Sequence, residues 1–389
     1  MSQIYQGARF KAYCPKRQGS DSLKFDGMEA EFGRSDLLAF WVADMDFLPP
    51  SFIPKLIAQK SREVLGYPHL SPSVKESVAG WFQRRFGVEV ESEAVIPTSG
   101  VVTSMYVAIE EFTQKGDKIV LQSPVYGPFF SIIQGSGRQI LDNPLRLSES
   151  GYGMDLEHLE NLFLKEHPKM LLFCSPQNPT GRVWRHEELG DLVRLCARYE
   201  VLLVSDEIHF DLVYERHTPL LAIEEARERT ILISAPTKSF NVPGLNISYA
   251  VIPSKLLRER FEKRARIVHI ARPNAIGLAV MEALYQEGEE WLLGLLEYLK
   301  ANRSLLEGFI ATHPKLKGVA PQGTYLYWID FGGLNLSHEE LKALFLEARL
   351  ALSPGKFFTH GRETSHFRFN FGTSRARVRE GLKCLGKIL

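Results

Sequence analysis

Cysteine is scarce in this chain of 389 residues: Cys14, Cys174, Cys196 and Cys384 are the only four, far apart, with no C-x-x-C pair. That spacing excludes a disulfide framework and a thiolate zinc site, and it suits reduced thiols in a cytosolic protein. An excess of one charge is missing too. The 47 Lys and Arg balance 46 Asp and Glu for a formal net charge of +1, which gives no reason to expect nucleic acid or an anionic membrane as partner. No apolar run approaches the length of a membrane span. The N-terminal MSQIYQGARFK lacks the apolar core of a signal peptide, so the expected compartment is the cytoplasm. No G-x-G-x-x-G follows a first strand, which disfavours a nicotinamide dehydrogenase.

What is present is an ordinary globular composition, 44% hydrophobic and 24% charged, with room for two domains of unequal size. Residues 1–49 hold few periodic segments and read as an arm plus a short extended piece, LLAFWVADMDF. From 50 to 285 short apolar runs (KIVLQSP, KMLLFCSP, VLLVSDE, TILISAP and ISYAVIP) alternate with helical spacing such as HEELGDLVRLCARYE. Runs apolar throughout predict strands buried on both faces of a mostly parallel sheet, hence an α/β domain. Residues 286–312 read as one continuous amphipathic helix. After it TYLYWIDF, SHEELKALFLEAR, HFRFNFG and SRARVREGLKCL predict a small α+β domain over 286–389, with the N-terminal arm packed on it.

Polar clusters close several of these runs, and that is where an open α/β sheet presents its ligand groups. Lys238, in SAPTKSFNVPGL, is the most informative. Alone it reads as a surface lysine; behind an apolar strand and before turn-forming Asn241, Pro243 and Gly244 it suits an amine kept partly desolvated for attack on an aldehyde. Asp206 ends VLLVSD, where a carboxylate can pair with a protonated pyridine nitrogen or serve as a loop cap. Glu207 beside it has the more structural place. His209 can donate to a ring oxygen or be a satisfied core histidine. Asn178, in QNPTG, can donate to the same oxygen or simply open a turn. Gly100, with Val101 and Val102, joins the strand EAVIPT to a helix whose free N–H groups can face a phosphate. Tyr126 in SPVYGPF can stack on a flat ring. Arg368 alternates with Phe367 and Phe369, which face the other side of the strand, and can clamp a carboxylate. Together the clusters suit pyridoxal 5'-phosphate.

WVADMDF at 41–47, GYPHL at 66–70, SPVYGPF, NPTG, SDEIH, SAPTKSFNVPGL, QGTYLYWIDF and FRFNFGTSR carry a resemblance that covers almost the whole chain. They resemble the aspartate-aminotransferase-fold superfamily of pyridoxal-phosphate enzymes, and within it the MalY/PatB branch of cystathionine β-lyase-like C–S lyases. The resemblance implies a large domain with a mostly parallel seven-stranded sheet sandwiched by helices, plus a small α+β domain. It implies that Lys238 is the Schiff-base lysine and catalytic base, Asp206 the pyridinium partner, and Asn178 and His209 the ring-oxygen contacts. Tyr126 is then the stacking aromatic. Val101 and Val102 give backbone phosphate contacts, Thr237 a phosphate-binding hydroxyl, and Arg368 the carboxylate clamp. Tyr67 resembles the tyrosine that reaches the phosphate of a neighbouring subunit, which implies a homodimer. Two positions depart from the aminotransferase pattern. Asn246 stands where many aminotransferases have a phosphate-holding arginine, and Ala235 where they have a serine.

The implied activity is cleavage of L-cystathionine or a related L-cysteine S-conjugate to a thiol, pyruvate and ammonia by α,β-elimination. The alternative is an aminotransferase acting on an L-amino acid, which shares the same residues around the cofactor. A cofactor-binding regulatory protein without activity is disfavoured by the intact Lys238, Asp206 and Asn178.

Overall fold

The computed structural model describes residues 10–149 and 151–389. Residues 1–9, the start of the expected arm, lie outside the described residues. In chain order the strands are β1 Leu38–Phe40, β2 Val95–Thr98, β3 Lys118–Leu121, β4 Gln139–Asp142, β5 Arg146–Ser148, β6 Gly151–Gly153, β7 Met170–Cys174 and β8 Leu202–Asp206. They continue with β9 Thr230–Ser234, β10 Ser248–Val251, β11 Leu326–Asp330, β12 Leu350–Pro354 and β13 His366–Asn370.

Seven strands form one sheet in the order β2-β10-β9-β8-β7-β3-β4. Neighbours are parallel except around β10, which runs antiparallel to both β9 and β2. The alternation of side chains explains why the inner runs are apolar throughout. Met170, Leu172 and Cys174 of β7 pack into one core with Val204, Ile231 and helix Val101–Phe112. Leu171, Phe173 and Leu203 pack on the opposite face against Trp184, Leu189 and Leu192, from a segment that includes helix His186–Arg198. Burying each such side chain from both sides is worth about 1.5–3 kcal/mol. Two predictions need correcting here. The edge strand β4 is missing from the sequence reading, because its four residues are all partly exposed and only half of them apolar. The long helix begins at Glu289, since residues 286 and 287 end a separate helix, Ala275–Glu287, whose C-cap is Gly288.

A second sheet has four strands in the order β1-β12-β13-β11. Its first member comes from the N-terminal segment: Leu38 to Phe40 pair in parallel with Leu350 to Leu352. The helix Glu289–Ala311 leads into this part of the chain. Phe10 packs edge-on against its Trp291, with ring centroids 5.5 Å apart. Buried Asn302 donates to the carbonyls of Phe371 and Thr373, at 3.0 and 2.8 Å, and so fixes the turn after β13. Among the described residues no helix is long and apolar enough to cross a membrane.

Candidate active site

The carboxyl ends of β2, β7 and β8 meet the start of helix Val101–Phe112 and the short helix Pro236–Ser239 around one cavity of about 230 Å³. Gly100, Val101, Val102, Tyr126, Asn178, Asp206, His209, Thr237 and Lys238 all line it. Arg368 stands behind Asn178, with Nη1 donating to Asn178 Oδ1 at 3.0 Å. Tyr67 is not brought to the cavity in this chain; it is 99% exposed.

Gly100 has φ +94°, a left-handed conformation that favours glycine. A Cβ there would stand 2.8 Å from Asn246 Oδ1. The helix that follows starts at Val101, so the N–H groups of its first turn have no partner within the helix and point along the positive end of its dipole. The Thr237 side chain lines the same cavity. Asn246 lines it as well. The position where a phosphate-holding arginine was missing from the sequence is therefore at the cavity wall, occupied by an amide.

Burial dominates the electrostatics. The Lys238 amine, half-buried, donates to the carbonyl of Ala43 at 2.6 Å. Desolvation pulls its pKa down to about 8, with Arg368 acting in the same direction and Asp44 and Asp206 opposing. Asp206 is pushed up to about 7, chiefly by burial; the Ile208 N–H, donating to Oδ1 at 3.1 Å, works against this. A carboxylate held so high lacks a full counter-charge, and a pyridinium N–H would supply one. His209 is driven well below its ordinary value by burial and by the charges of Lys238 and Arg368, which leaves a neutral imidazole. Its Nδ1 is buried without a hydrogen-bond partner. Since Arg368 takes Asn178 Oδ1, the amide NH₂ of Asn178 is the group left to donate to a ring oxygen.

Arg368 is only 3% exposed. Its Nη2 donates to the Trp41 carbonyl at 2.8 Å and Ser353 Oγ at 3.1 Å. The guanidinium carbon lies 4.7 Å from the centre of the Phe358 ring. Burial pulls it down to about 10, and its Nε is without a partner. Among the ion pairs of the described residues none involves Arg368, so a buried cation here calls for an anion. β13 lies between β12 and β11, and so Arg368 is not on an edge strand. Glu207 turns away from the cavity and takes the expected structural place. It accepts from Ser205 Oγ at 3.0 Å and from Leu220 N–H at 2.9 Å, and pairs with His217 at 3.0 Å.

These features fit pyridoxal phosphate: an orphaned imidazole nitrogen, a glycine cradle at a helix start, and a carboxylate short of a cation. The residues that sequence reading missed are Ala43 and Trp41, which act through backbone carbonyls, and Tyr325, whose hydroxyl donates to Ala43 O at 2.8 Å. All three lie within quoted motifs, WVADMDF and QGTYLYWIDF, which drew attention without assigning a role. The Ser123–Pro124, Ser175–Pro176 and Asn178–Pro179 bonds are cis.

Comparison with known proteins agrees with this geometry. The family model "Aminotransferase class I and II" matches residues 38–385. The chain is 36% identical over 374 residues to cystathionine beta-lyase PatB of Bacillus subtilis, covering 95% of this chain and 96% of that protein. It is 32% identical to protein MalY of Escherichia coli, covering 94% and 95%. The crystal structure of cystalysin from Treponema denticola, which contains a pyridoxal 5'-phosphate cofactor, superposes with a TM-score of 0.93 at 31% identity, covering 97% of this chain and 98% of that one. The expected aspartate-aminotransferase fold and cofactor are thereby established, and the chain belongs to the class I and II aminotransferase family, in its PatB/MalY branch.

Proposed function

We propose that this protein is a pyridoxal-phosphate-dependent carbon–sulfur β-lyase that cleaves L-cystathionine or a related L-cysteine S-conjugate. The products are a thiol (homocysteine from cystathionine), pyruvate and ammonia, with water supplying the pyruvate carbonyl oxygen. The observation that carries the reading is the meeting of a desolvated Lys238 amine and buried Asp206 in one cavity, with buried Arg368, in no ion pair among the described residues, directly behind Asn178 of its wall. Similarity to PatB, named a cystathionine beta-lyase, sets the reaction class.

Each residue has a definite task in this reading. Arg368 grips the substrate carboxylate through two parallel hydrogen bonds and so orients the Cα–H. Lys238 would hold the cofactor and, as the free amine, take the Cα proton; with a pKa of about 8 it is basic, yet about a tenth of it is neutral at pH 7, far more than for an ordinary lysine. Asp206 keeps the pyridine nitrogen protonated, and Asn178 and His209 donate to the ring oxygen. Tyr126 stacks on the ring. The N–H groups of Val101 and Val102, freed by the turn at Gly100, bind the phosphate together with Thr237. When bound, pyridoxal phosphate supplies an electron sink for the pair left at Cα. Loss of the thiolate from Cβ completes the elimination.

The same reading places Tyr67 in the phosphate site of a second copy, in a cytoplasmic homodimer. It assigns residues 50–285 to the cofactor domain and 286–389, with the 1–49 arm, to the linking helix and small domain. The test is incubation with L-cystathionine and no keto-acid acceptor. Pyruvate and thiol should accumulate in step over many turnovers. A single turnover that stops at pyridoxamine phosphate would establish the aminotransferase alternative instead.

A further inference from the structure

The stretch Trp41–Met45 runs beside the cavity with all five of its carbonyls taken by side chains. Two of those side chains are the ones that matter most for reactivity. Trp41 O accepts from Arg368 at 2.8 Å and Ala43 O from Lys238 at 2.6 Å. Asn370 steadies the carbonyls between and after them, donating to Val42 O at 2.5 Å and Asp44 O at 2.7 Å. One piece of backbone thus sets the spacing between the amine and the guanidinium.

Charge holds that backbone in place. Asp46, 1% exposed, pairs with fully buried Lys24 at 2.9 Å, with Arg377 at 3.0 Å and with Arg17 at 3.1 Å. Asp44 pairs with Arg17 at 2.6 Å, and Lys24 stands 3.7 Å from its other oxygen. Carboxylates this enclosed persist only among cations that compensate their desolvation. Asp44 is directly next to the carbonyl that holds Lys238, and its charge favours the ammonium form of that lysine.

The geometry points to Asp44 and Arg17 as positioning residues that hold the Ala43 carbonyl against the Lys238 amine and set how readily that amine carries a proton. This rests on the reading of Lys238 as the cofactor-bearing base. Asp206 from β8, His209 beyond it and Arg368 from β13 also face the amine, and all three stay unchanged in the variants below. The two residues act with opposite sign: the Asp44 charge favours the proton, and Arg17 offsets that charge.

The experiment acylates the full-length protein with an amine-directed reagent across a pH range, with cofactor bound and with cofactor removed. Peptide mass spectrometry reads modification at Lys238. In the cofactor-free protein Asp44→Asn should lower the half-labelling pH by roughly one unit, several-fold more neutral amine at a given pH. Asp44→Glu should restore it, and Arg17→Gln should raise it. A cluster that merely supports the fold would lower the melting temperature in both Asn and Gln variants and leave the labelling midpoint in place. An unmoved midpoint, or a shift of the same sign in both, overturns the inference. If Asp44→Asn does not fold, Arg17→Gln, at a side chain 21% exposed, decides alone: a rise supports the inference and no change ends it. Bound cofactor should protect Lys238 from labelling. Absence of protection would strike at the functional reading itself, whereas protection with an unmoved midpoint would strike only at Asp44 and Arg17.

Discussion

At the scale of the residue, the site is a set of buried groups whose charges are incomplete without ligand. Asp206 makes this testable by stability as well as rate. Its folded pKa is raised to about 7 from an ordinary 3.8. The native cofactor-free protein therefore holds a proton that the unfolded chain has lost, and the stability this confers is full below about pH 4 and disappears as pH rises through 7. Thermal unfolding of the cofactor-free protein should show that decline, and Asp206→Asn should flatten it. With cofactor bound, the same variant should lose most of its kcat, because an amide cannot hold the pyridine proton. Turnover near the native rate would make Asp206 a structural carboxylate. Arg368→Lys should keep the charge but lose the planar fork. Its cost should be roughly 2 kcal/mol, about thirtyfold in kcat/KM for cysteine conjugates, with no change in the binding of amines that lack the carboxylate. Equal losses for both ligand types would assign Arg368 to the fold. These side chains were legible in sequence because each ends or alternates within an apolar run. The Trp41 and Ala43 carbonyls were not, because a backbone oxygen has no side-chain signature.

At the scale of the element, what composition reveals is burial. The runs now seen as β3, β7, β8, β9 and β10 were legible because both faces are covered and, apart from Lys118 at the start of β3 and Asp206 at the end of β8, their residues are apolar or small. Strand direction leaves no such mark, so the antiparallel placement of β10 between β9 and β2 appears only in the structure. The edge strand β4 and the hairpin of β5 and β6 hide behind polar residues for the same reason that edges usually do. The turn into helix Val101–Phe112 offers a prediction at this scale. Gly100→Ala would place a Cβ 2.8 Å from Asn246 Oδ1 at φ +94°, a strain of about 1–3 kcal/mol. If that turn aims N–H groups at a phosphate, pyridoxal phosphate should bind roughly tenfold more weakly, while pyridoxal without phosphate should bind unchanged. Equal weakening for both would show a general distortion of the cavity.

At the scale of the whole molecule, the exposed stretch Val64, Leu65 and Tyr67, at 96%, 64% and 99% exposure, is costly surface for an isolated chain. The proposed homodimer covers it and brings Tyr67 to the partner's phosphate. Sedimentation should find a dimer, and Tyr67→Phe should weaken cofactor binding without dissociating it. A fully active monomer would remove the role given to Tyr67. The change of pattern after residue 285 is what suggests the proposed division into two parts. The contribution of β1 to the far sheet is a pairing over a span that no local pattern encodes.

That pairing has a consequence for how the protein is made. The partners of Arg368 and of Lys238 lie 327 and 195 residues away, both on the stretch just after β1. A chain leaving the ribosome presents Trp41 and Ala43 long before Arg368. Until its later partners emerge this stretch must wait, with Asp46 still lacking Arg377 and β1 still lacking its partner strand β12. Contacts so distant in sequence close slowly, because the loop entropy is lost before the contact is gained. Refolding from denaturant should accordingly restore strand and helix signals well before Lys238 regains its lowered basicity, so reactive chemistry is the last property this chain acquires.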